Sequence, residues 1–309
     1  MKYRNLDGSI IDKSPAELFK WKLGFGAGRE ETSIVAGDTP APRVDNDGAL
    51  VRDGSRAALT WIGHATFLVQ LGGRSILIDP VFSKRITVVP RLVAPGIAFD
   101  ALPKIDAVLI THNHRDHMDA PTLARFGGDV HFVVPKGLGA WFRRQGRTRV
   151  TELEWWGSAE VDGARVTFVP SQHWSMRSPF DRNESLWGGY VVEDGTHRVY
   201  HSGDTAWFEG FSEIGQRAGA IDVAMLPIGA YEPRWFMKGQ HMNPNDAARA
   251  FAALGAARCV AMHWGTFKLT DEPTGEPPLA ARAEWHAAKL DEDRLLIPAV
   301  GETLFLARS

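Results

Sequence analysis

Asp106-Ala-Val-Leu-Ile-Thr-His112-Asn-His114-Arg-Asp116-His117 carries both the fold and the chemistry of this chain. Its first half contains the apolar run Ala107–Ile110, short enough for a buried strand. Its second half packs three histidines and an aspartate into six residues. Neutral imidazole and carboxylate are both good zinc ligands, and α/β proteins place reactive groups where strands run out into loops. Neighbours in a tight turn point to different sides, so this one segment can serve two adjacent metal ions. A lone histidine here would read as structural. Three with an interposed aspartate read as a metal site.

The remaining ligands are expected at the ends of later strands. Ser171-Gln-His173 follows the β-prone run Arg165–Val169, Ser202-Gly-Asp204 follows Arg198–Tyr200, and His263 ends the run Arg258–Met262. Each is weak alone. Together with His112, His114, Asp116 and His117 they make the seven groups of a two-metal site, in which ions about 3.5–4 Å apart clamp the attacking and leaving oxygens.

Outward from this segment the pattern is β-rich first and alternating afterwards. Leu59–Ile62, Thr66–Gln70 and Ser75–Ile78 read as short strands separated by turns. Then come a helix over Pro121–Phe126, a strand over His131–Val134, a helix over Leu138–Gln145, and strands over Arg165–Val169, Gly189–Val192 and Arg198–Tyr200. Phe208–Arg217, Pro244–Leu254 and Leu279–Leu290 read as helices, and Asp222–Leu226, Arg258–Met262 and Thr303–Leu306 as strands. Asn243-Pro244 supplies a cap and a first-turn proline. This order predicts an α/β protein with two mixed sheets face to face and helices outside. Residues 1–56, rich in Gly, Pro, Asp and Arg with one helix over Pro15–Leu23, are expected to form an arm packed on a single hydrolase domain over 57–309.

Composition narrows the function classes. The 309 residues carry a formal charge of −2, which argues against a nucleic-acid binder. Arg143, Arg144, Arg147 and Arg149 read as a solvated face. The single Cys259 excludes an internal disulfide and suits the cytoplasm. The N-terminus MKYRNLDGSIIDKSP has no apolar signal region, and no run of about 18 apolar residues offers a membrane span. Eleven tryptophans leave peripheral contact with the inner membrane face open, because indoles suit half-wet surfaces.

The signature His112-x-His114-x-Asp116-His117 resembles that of the metallo-β-lactamase superfamily. More narrowly, the chain is similar to the N-acyl-phosphatidylethanolamine-hydrolysing phospholipase D family. The likeness lies in Thr60–Thr66, Leu77–Pro80, Ile110–His117, Pro170–Trp174, Leu186–Gly188, Pro227–Met237, Gln240-His241 and Ala261–Phe267, and covers about residues 56–305. It implies the αββα sandwich and two zinc ions per chain, one on His112, His114 and His173, the other on Asp116, His117 and His263, with Asp204 between them. It implies hydrolysis of N-acyl-phosphatidylethanolamine to an N-acylethanolamine and phosphatidic acid, by a metal-bridging hydroxide attacking phosphorus. Asp116 would orient the hydroxide and His241 would meet substrate or leaving group. A homodimer is also implied. An iron redox branch of the superfamily has glutamate where this chain has His114, which favours hydrolysis.

Several residues admit two readings. Asp79 before Pro80, and His64 in Gly63-His64-Ala65, can hold a ligand from behind, or be a turn carboxylate and a core histidine. Tyr231, Arg234 and Trp235 can line a substrate site, Arg234 facing phosphate; core packing and a buried ion pair explain them equally. Trp155 and Trp156 read as core or as part of an acyl-chain groove. His131, His197, His201 and His286 have no place in the metal pattern. The alternative function is a dinuclear zinc lactonase or phosphoesterase acting on a soluble metabolite, since a fold does not fix a substrate. RNA processing lacks support from charge. A purely structural zinc site would be rich in thiolates.

Overall fold

The computed structural model describes residues 2–25, 34–52 and 54–306. Two seven-stranded mixed sheets form the body of the chain. In the first, the spatial order is Thr303–Phe305, Ala58–Gly63, Thr66–Leu71, Arg74–Ile78, Ala107–Leu109, His131–Pro135 and Val150–Leu153. In the second it is Leu295–Leu296, Arg258–Met262, Val223–Pro227, Arg198–His201, Gly189–Glu193, Ala164–Val169 and Ser158–Val161. Each sheet has an antiparallel half, made of successive hairpins, and a parallel half.

Side chains alternate across a strand, and that alternation makes the layers. Phe67, Val69, Ile76, Ile78 and Leu109 face inward and meet Phe168, Tyr190, Val199 and Met225 of the other sheet in one core. Their neighbours Leu68, Leu77, Val108 and Ile110 face outward, with Phe132 and Val134, and are covered by Leu123 and Phe142 from the helices Ala120–Ala124 and Gly139–Arg144. The second sheet is covered by Gly210–Ala218, Pro244–Leu254 and Glu276–Ala287, which contribute Phe211, Phe251 and Trp285 to the core. The result is the expected αββα sandwich. Tyr190 links the sheets directly, its hydroxyl donating toward Ile110 O at 2.9 Å and Val133 O at 3.1 Å.

The expected elements form, with ends shifted by a few residues. The last long helix begins at Glu276, ahead of Leu279, because Pro277 and Pro278 occupy a first turn that needs no amide donors. The edge strands Val150–Leu153 and Ser158–Val161 and the short helix Arg234–Met237 lacked a legible sequence signal. Both strands are polar and partly exposed, so they show no apolar run. Arg143, Arg144 and Arg149 are exposed as expected, but Arg147 is half-buried and donates to Phe126 O and Leu123 O. Its guanidinium tethers the end of one helix to the loop after the next.

The N-terminal residues lie along the second-sheet side. Asn5 Oδ1 accepts from Trp187 Nε1 at 2.9 Å and from the His173 amide at 3.1 Å. The helix Pro15–Lys22, closed by a Ser14–Glu17 capping box, docks through Trp21: its Nε1 donates to Asp271 at 2.7 Å and its ring lies 4.9 Å from Phe236.

The inter-sheet core predicts its own cost of damage. Phe168 is fully buried between the sheets, so Phe168→Ala should lower the unfolding free energy by about 3–5 kcal/mol. Denaturant titration of the metal-free protein measures it, and a loss under about 1 kcal/mol would contradict this packing.

Candidate metal centre

Every residue of the expected metal set stands just beyond the C-terminal end of a strand, on one rim of the sandwich. His112, His114, Asp116 and His117 follow Ala107–Leu109; His173 follows Ala164–Val169; Asp204 follows Arg198–His201; His263 follows Arg258–Met262. Two more residues reach the same rim: His64 after Ala58–Gly63 and Asp79 after Arg74–Ile78. His64, Asp79 and His263 all have left-handed backbones, with φ of +56°, +46° and +63°. Such conformations are strained for residues with a Cβ and persist where surrounding structure holds them. Gly203 (φ +59°) makes the turn before Asp204, where a Cβ would lie 2.5 Å from Gly188 O.

The side chains converge in two overlapping groups. In the first, His112 Nε2 lies 2.9 Å from His114 Nδ1, which lies 3.2 Å from His173 Nε2. In the second, Asp116 Oδ2 lies 3.7 Å from both His117 Nε2 and His263 Nε2. Asp204 stands between the groups, with Oδ2 at 3.2 Å from His117 Nε2 and 3.9 Å from His173 Nε2, and Oδ1 at 3.2 Å from His263 Nε2. His241 Nδ1 approaches the same Asp204 Oδ2 at 3.9 Å.

Hydrogen bonds behind the cluster determine which ring nitrogens are bare. Asp79 is fully buried. Its Oδ1 accepts from the Thr111 amide at 2.8 Å, and its Oδ2 accepts from Thr111 Oγ1 at 2.6 Å and from His117 Nδ1 at 2.7 Å. His117 therefore donates from Nδ1 and turns Nε2 inward, toward Asp204. Thr111 Oγ1 has spent its one proton on Asp79, so it accepts from His112 Nδ1 at 3.0 Å, and His112 Nε2 is bare. His173 Nδ1 donates to Gln240 O at 2.8 Å, which bares Nε2. His112 Nε2 and His173 Nε2 thus both turn bare lone pairs toward His114 Nδ1, a convergence of ring nitrogens that a bound cation can take up.

Electrostatics agree. Burial pushes His112 well below the usual imidazole range, His114 to about 3 and His173 to about 4. Burial also acts on His117 and His263, but Asp204 and the neighbouring carboxylates outweigh it, raising His117 well above its ordinary value and His263 to about 9. Asp116 and Asp204 stay well below the usual carboxylate range despite burial, chiefly because of His117. The site therefore favours positive charge on its Asp116/Asp204 side and offers uncharged donors on the other. An all-nitrogen-and-oxygen donor set of this kind fits zinc and similar divalent ions; Cys259 is buried in its strand and takes no part.

The residues expected around the metals divide. Asp79 and His64 both back the cluster; His64 Nε2 lies 3.1 Å from Asp116 Oδ2. Arg234 takes the ion-pair alternative: its Nη2 meets Asp246 Oδ2 at 2.9 Å and its Nη1 donates to His241 O at 3.1 Å. Its guanidinium is thus held inside the fold and steadies the His241 backbone. Tyr231 is likewise turned inward, its hydroxyl donating to Glu276 Oε1 at 2.6 Å. Trp235 is half-exposed, with Lys20 Nζ 5.3 Å from its ring. Trp156 stacks under Arg217 and Trp155 Nε1 donates to Trp187 O. His201 is buried on Ala65 O, His131 bonds Thr151, and His286 is exposed beside Glu292.

Sequence reasoning missed Thr111, Gln240 and Asn5. Thr111 immediately precedes His112, which was a usable signal. Gln240 stood in the family likeness, but it acts through its backbone carbonyl, which residue type does not announce, and Asn5 lies 168 residues from His173.

Comparisons with known proteins place these features in a family. The model of the beta-lactamase superfamily domain matches residues 74–264. An uncharacterized protein of Mycobacterium tuberculosis is 37% identical over 295 residues, covering 88% of this chain and 76% of its own. The N-acyl-phosphatidylethanolamine-hydrolyzing phospholipase D 1 of Caenorhabditis elegans is 37% identical over 228 residues, 68% of this chain and 64% of that one. A metal-dependent hydrolase of Nitratidesulfovibrio vulgaris is 33% identical over 260 residues, 81% and 96% of the two chains. In fold, the isothiocyanate hydrolase from Delia radicum gut bacteria superposes with a TM-score of 0.67 at 24% identity, over 82% of this chain and all of that one. The strand-end histidines and aspartates, the αββα layers and these likenesses converge on one conclusion: the chain belongs to the beta-lactamase superfamily and is one of its metal-dependent hydrolases.

Proposed function

We propose that the chain is a dinuclear zinc phosphodiesterase of phospholipase D type, hydrolysing N-acyl-phosphatidylethanolamine to N-acylethanolamine and phosphatidic acid. The observation that carries the two-metal part is Asp204, which faces both groups: its Oδ1 stands 3.2 Å from His263 Nε2 and its Oδ2 stands 3.9 Å from His173 Nε2. His112, His114 and His173 would hold one ion, Asp116, His117 and His263 the other, and Asp204 both. Such a pair of ions lowers the pKa of a shared water and neutralises charge on phosphate oxygens.

The chain's own groups supply the rest. Asp116 would orient the attacking hydroxide through the oxygen that does not face the second ion. Burial first, with His173 and His263 beside it, keeps His241 well below the usual imidazole range even against the pull of Asp204. A neutral His241 is suited to donate a hydrogen bond to a phosphoryl oxygen, and this role is preferred here to that of a general acid. The Arg234–Asp246 pair holds its carbonyl, and Gln240 beside it holds His173.

Two observations support a lipid substrate. The worm relative is a phospholipase of this specificity. And the helix Pro15–Lys22, packed on Trp235 and Phe236 near His241, turns Phe19 and Leu18 outward with exposures of 65% and 46%, followed by Leu23 and Phe25 at 52% and 63%. Lys20 and Lys22 flank them. Exposed aromatic and aliphatic side chains mixed with lysine suit the edge of a lipid surface, and peripheral contact there is part of the proposal. No helix among the described residues is long and apolar enough to cross a membrane.

Three measurements test this. Metal analysis of the zinc-loaded protein should give two ions per chain, and Asp204→Asn should lose both occupancy and turnover; an Asp204→Asn protein with two ions contradicts the shared-ligand role. His241→Ala should keep its metals and lose about 10²–10³-fold in kcat, the usual loss when a hydrogen-bond donor to a developing oxyanion is removed; loss of zinc instead would make His241 a ligand. Incubation with N-acyl-phosphatidylethanolamine vesicles and with a panel of lactones should release phosphatidic acid; lactone turnover alone would favour the soluble-metabolite alternative.

A further inference from the structure

We propose that one buried water joins His263 to His64, and that His64 is the positioning residue holding Asp116 toward the second metal. This rests on the two-metal reading above.

His64 occupies a left-handed backbone (φ +56°) that a side chain disfavours, and three hydrogen bonds keep it there. Its amide donates to Thr266 Oγ1 at 2.8 Å. Its carbonyl accepts from Trp61 Nε1 at 2.8 Å and from the His263 amide at 3.1 Å. The last bond ties His64 to a residue 199 positions later that is itself left-handed. The two rings lie 3.9 Å apart between centroids.

The protons can be assigned atom by atom. His64 Nε2 faces Asp116 Oδ2 at 3.1 Å. A carboxylate has no proton to give, so Nε2–H is the donor. In the neutral ring that leaves His64 Nδ1 as an acceptor. His263 is the reverse. Its Nε2 faces Asp204 and Asp116 and must be bare to hold a metal, so its proton sits on Nδ1. Both Nδ1 atoms are buried and neither has a protein partner. Both residues line a cavity of about 10 Å³ whose wall also includes Thr270, Glu272 and Thr274. About 10–15 Å³ accommodates one water, which needs two to four polar partners. A water there accepts from His263 Nδ1–H and donates to His64 Nδ1, and the other polar groups of the wall offer its second hydrogen a destination.

The contacts then close on themselves: His263, water, His64, Asp116 and back to the ion that Asp116 and His263 share. Fixing His64 in the tautomer with Nε2–H commits Asp116 Oδ2 to one orientation. Groups that orient ligands in this way affect metal affinity about 10–100-fold.

A high-resolution crystal structure of the zinc-loaded protein should show a water about 2.7–3.2 Å from both Nδ1 atoms; a fully zinc-loaded site without it overturns the bridge. Chelator competition should show His64→Leu holding its weaker metal about 10–100-fold less tightly, while His64→Gln, whose amide nitrogen can take the place of Nε2, recovers most of the loss. Equal affinity in wild type and His64→Leu overturns the positioning role, as does equal weakening by Leu and Gln. Melting of the metal-free variants separates a folding defect from a defect in holding metal, and His64→Gln with the crystal structure decides the matter if His64→Leu does not fold. A wild-type protein that binds fewer than two ions defeats the two-metal reading itself, whereas two ions with no water defeats only the bridge.

Discussion

The buried carboxylate of Asp79 is the constraint on which the rest of the site depends. An anion without exposure costs several kcal/mol unless it is fully hydrogen-bonded, and here three donors meet it: the Thr111 amide, the Thr111 hydroxyl and His117 Nδ1. Each of those bonds orders something else. The bond to His117 sets its tautomer. The bond from the Thr111 hydroxyl turns that hydroxyl into an acceptor for His112 and sets a second tautomer. The backbone bond pins the loop after Ala107–Leu109 to the end of the neighbouring parallel strand Arg74–Ile78. One carboxylate thus aims a ligand of each proposed metal.

The same device recurs with other groups. Gln240 O orients His173, and the segment that carries Gln240 and His241 is anchored by Arg234 on Asp246, the residue that also caps the helix Pro244–Leu254. The N-terminal residues join in through Asn5 on the His173 amide and through Trp21 on Phe236. Charge on the rim is consequently held by groups from both sheets, and the inter-sheet core is what keeps those groups in register. Damage to Phe168 would therefore reach the site as well as the stability.

Much of this was legible because the physics is local. His112, His114, Asp116 and His117 lie in one turn, so their spacing alone announces shared chemistry. His173, Asp204 and His263 were placed by a rule that needs only short-range pattern, a ligand type directly after a β-prone run. The β-prone runs Thr66–Gln70 and Ser75–Ile78, separated by a glycine-bearing turn, made the first sheet readable. The polar edge strand Ser158–Val161 escaped because its pairing with Ala164–Val169 supplies what its composition does not.

What the sequence by itself supplied is therefore the set of candidate ligands and the two mixed sheets face to face with helices outside, with the expectation of hydrolysis coming from the family resemblance. What only the tertiary structure decided is which nitrogen of each histidine faces inward, that Arg234 and Tyr231 turn into the fold, and that His64 stands behind Asp116. Tautomer and direction depend on partners tens of residues away, such as Asp79 for His117 and Gln240 for His173, and no local pattern encodes a contact of that range. The positive φ at His64, Asp79 and His263 has the same origin: each is an unfavourable local conformation, tolerated because hydrogen bonds from another strand hold it.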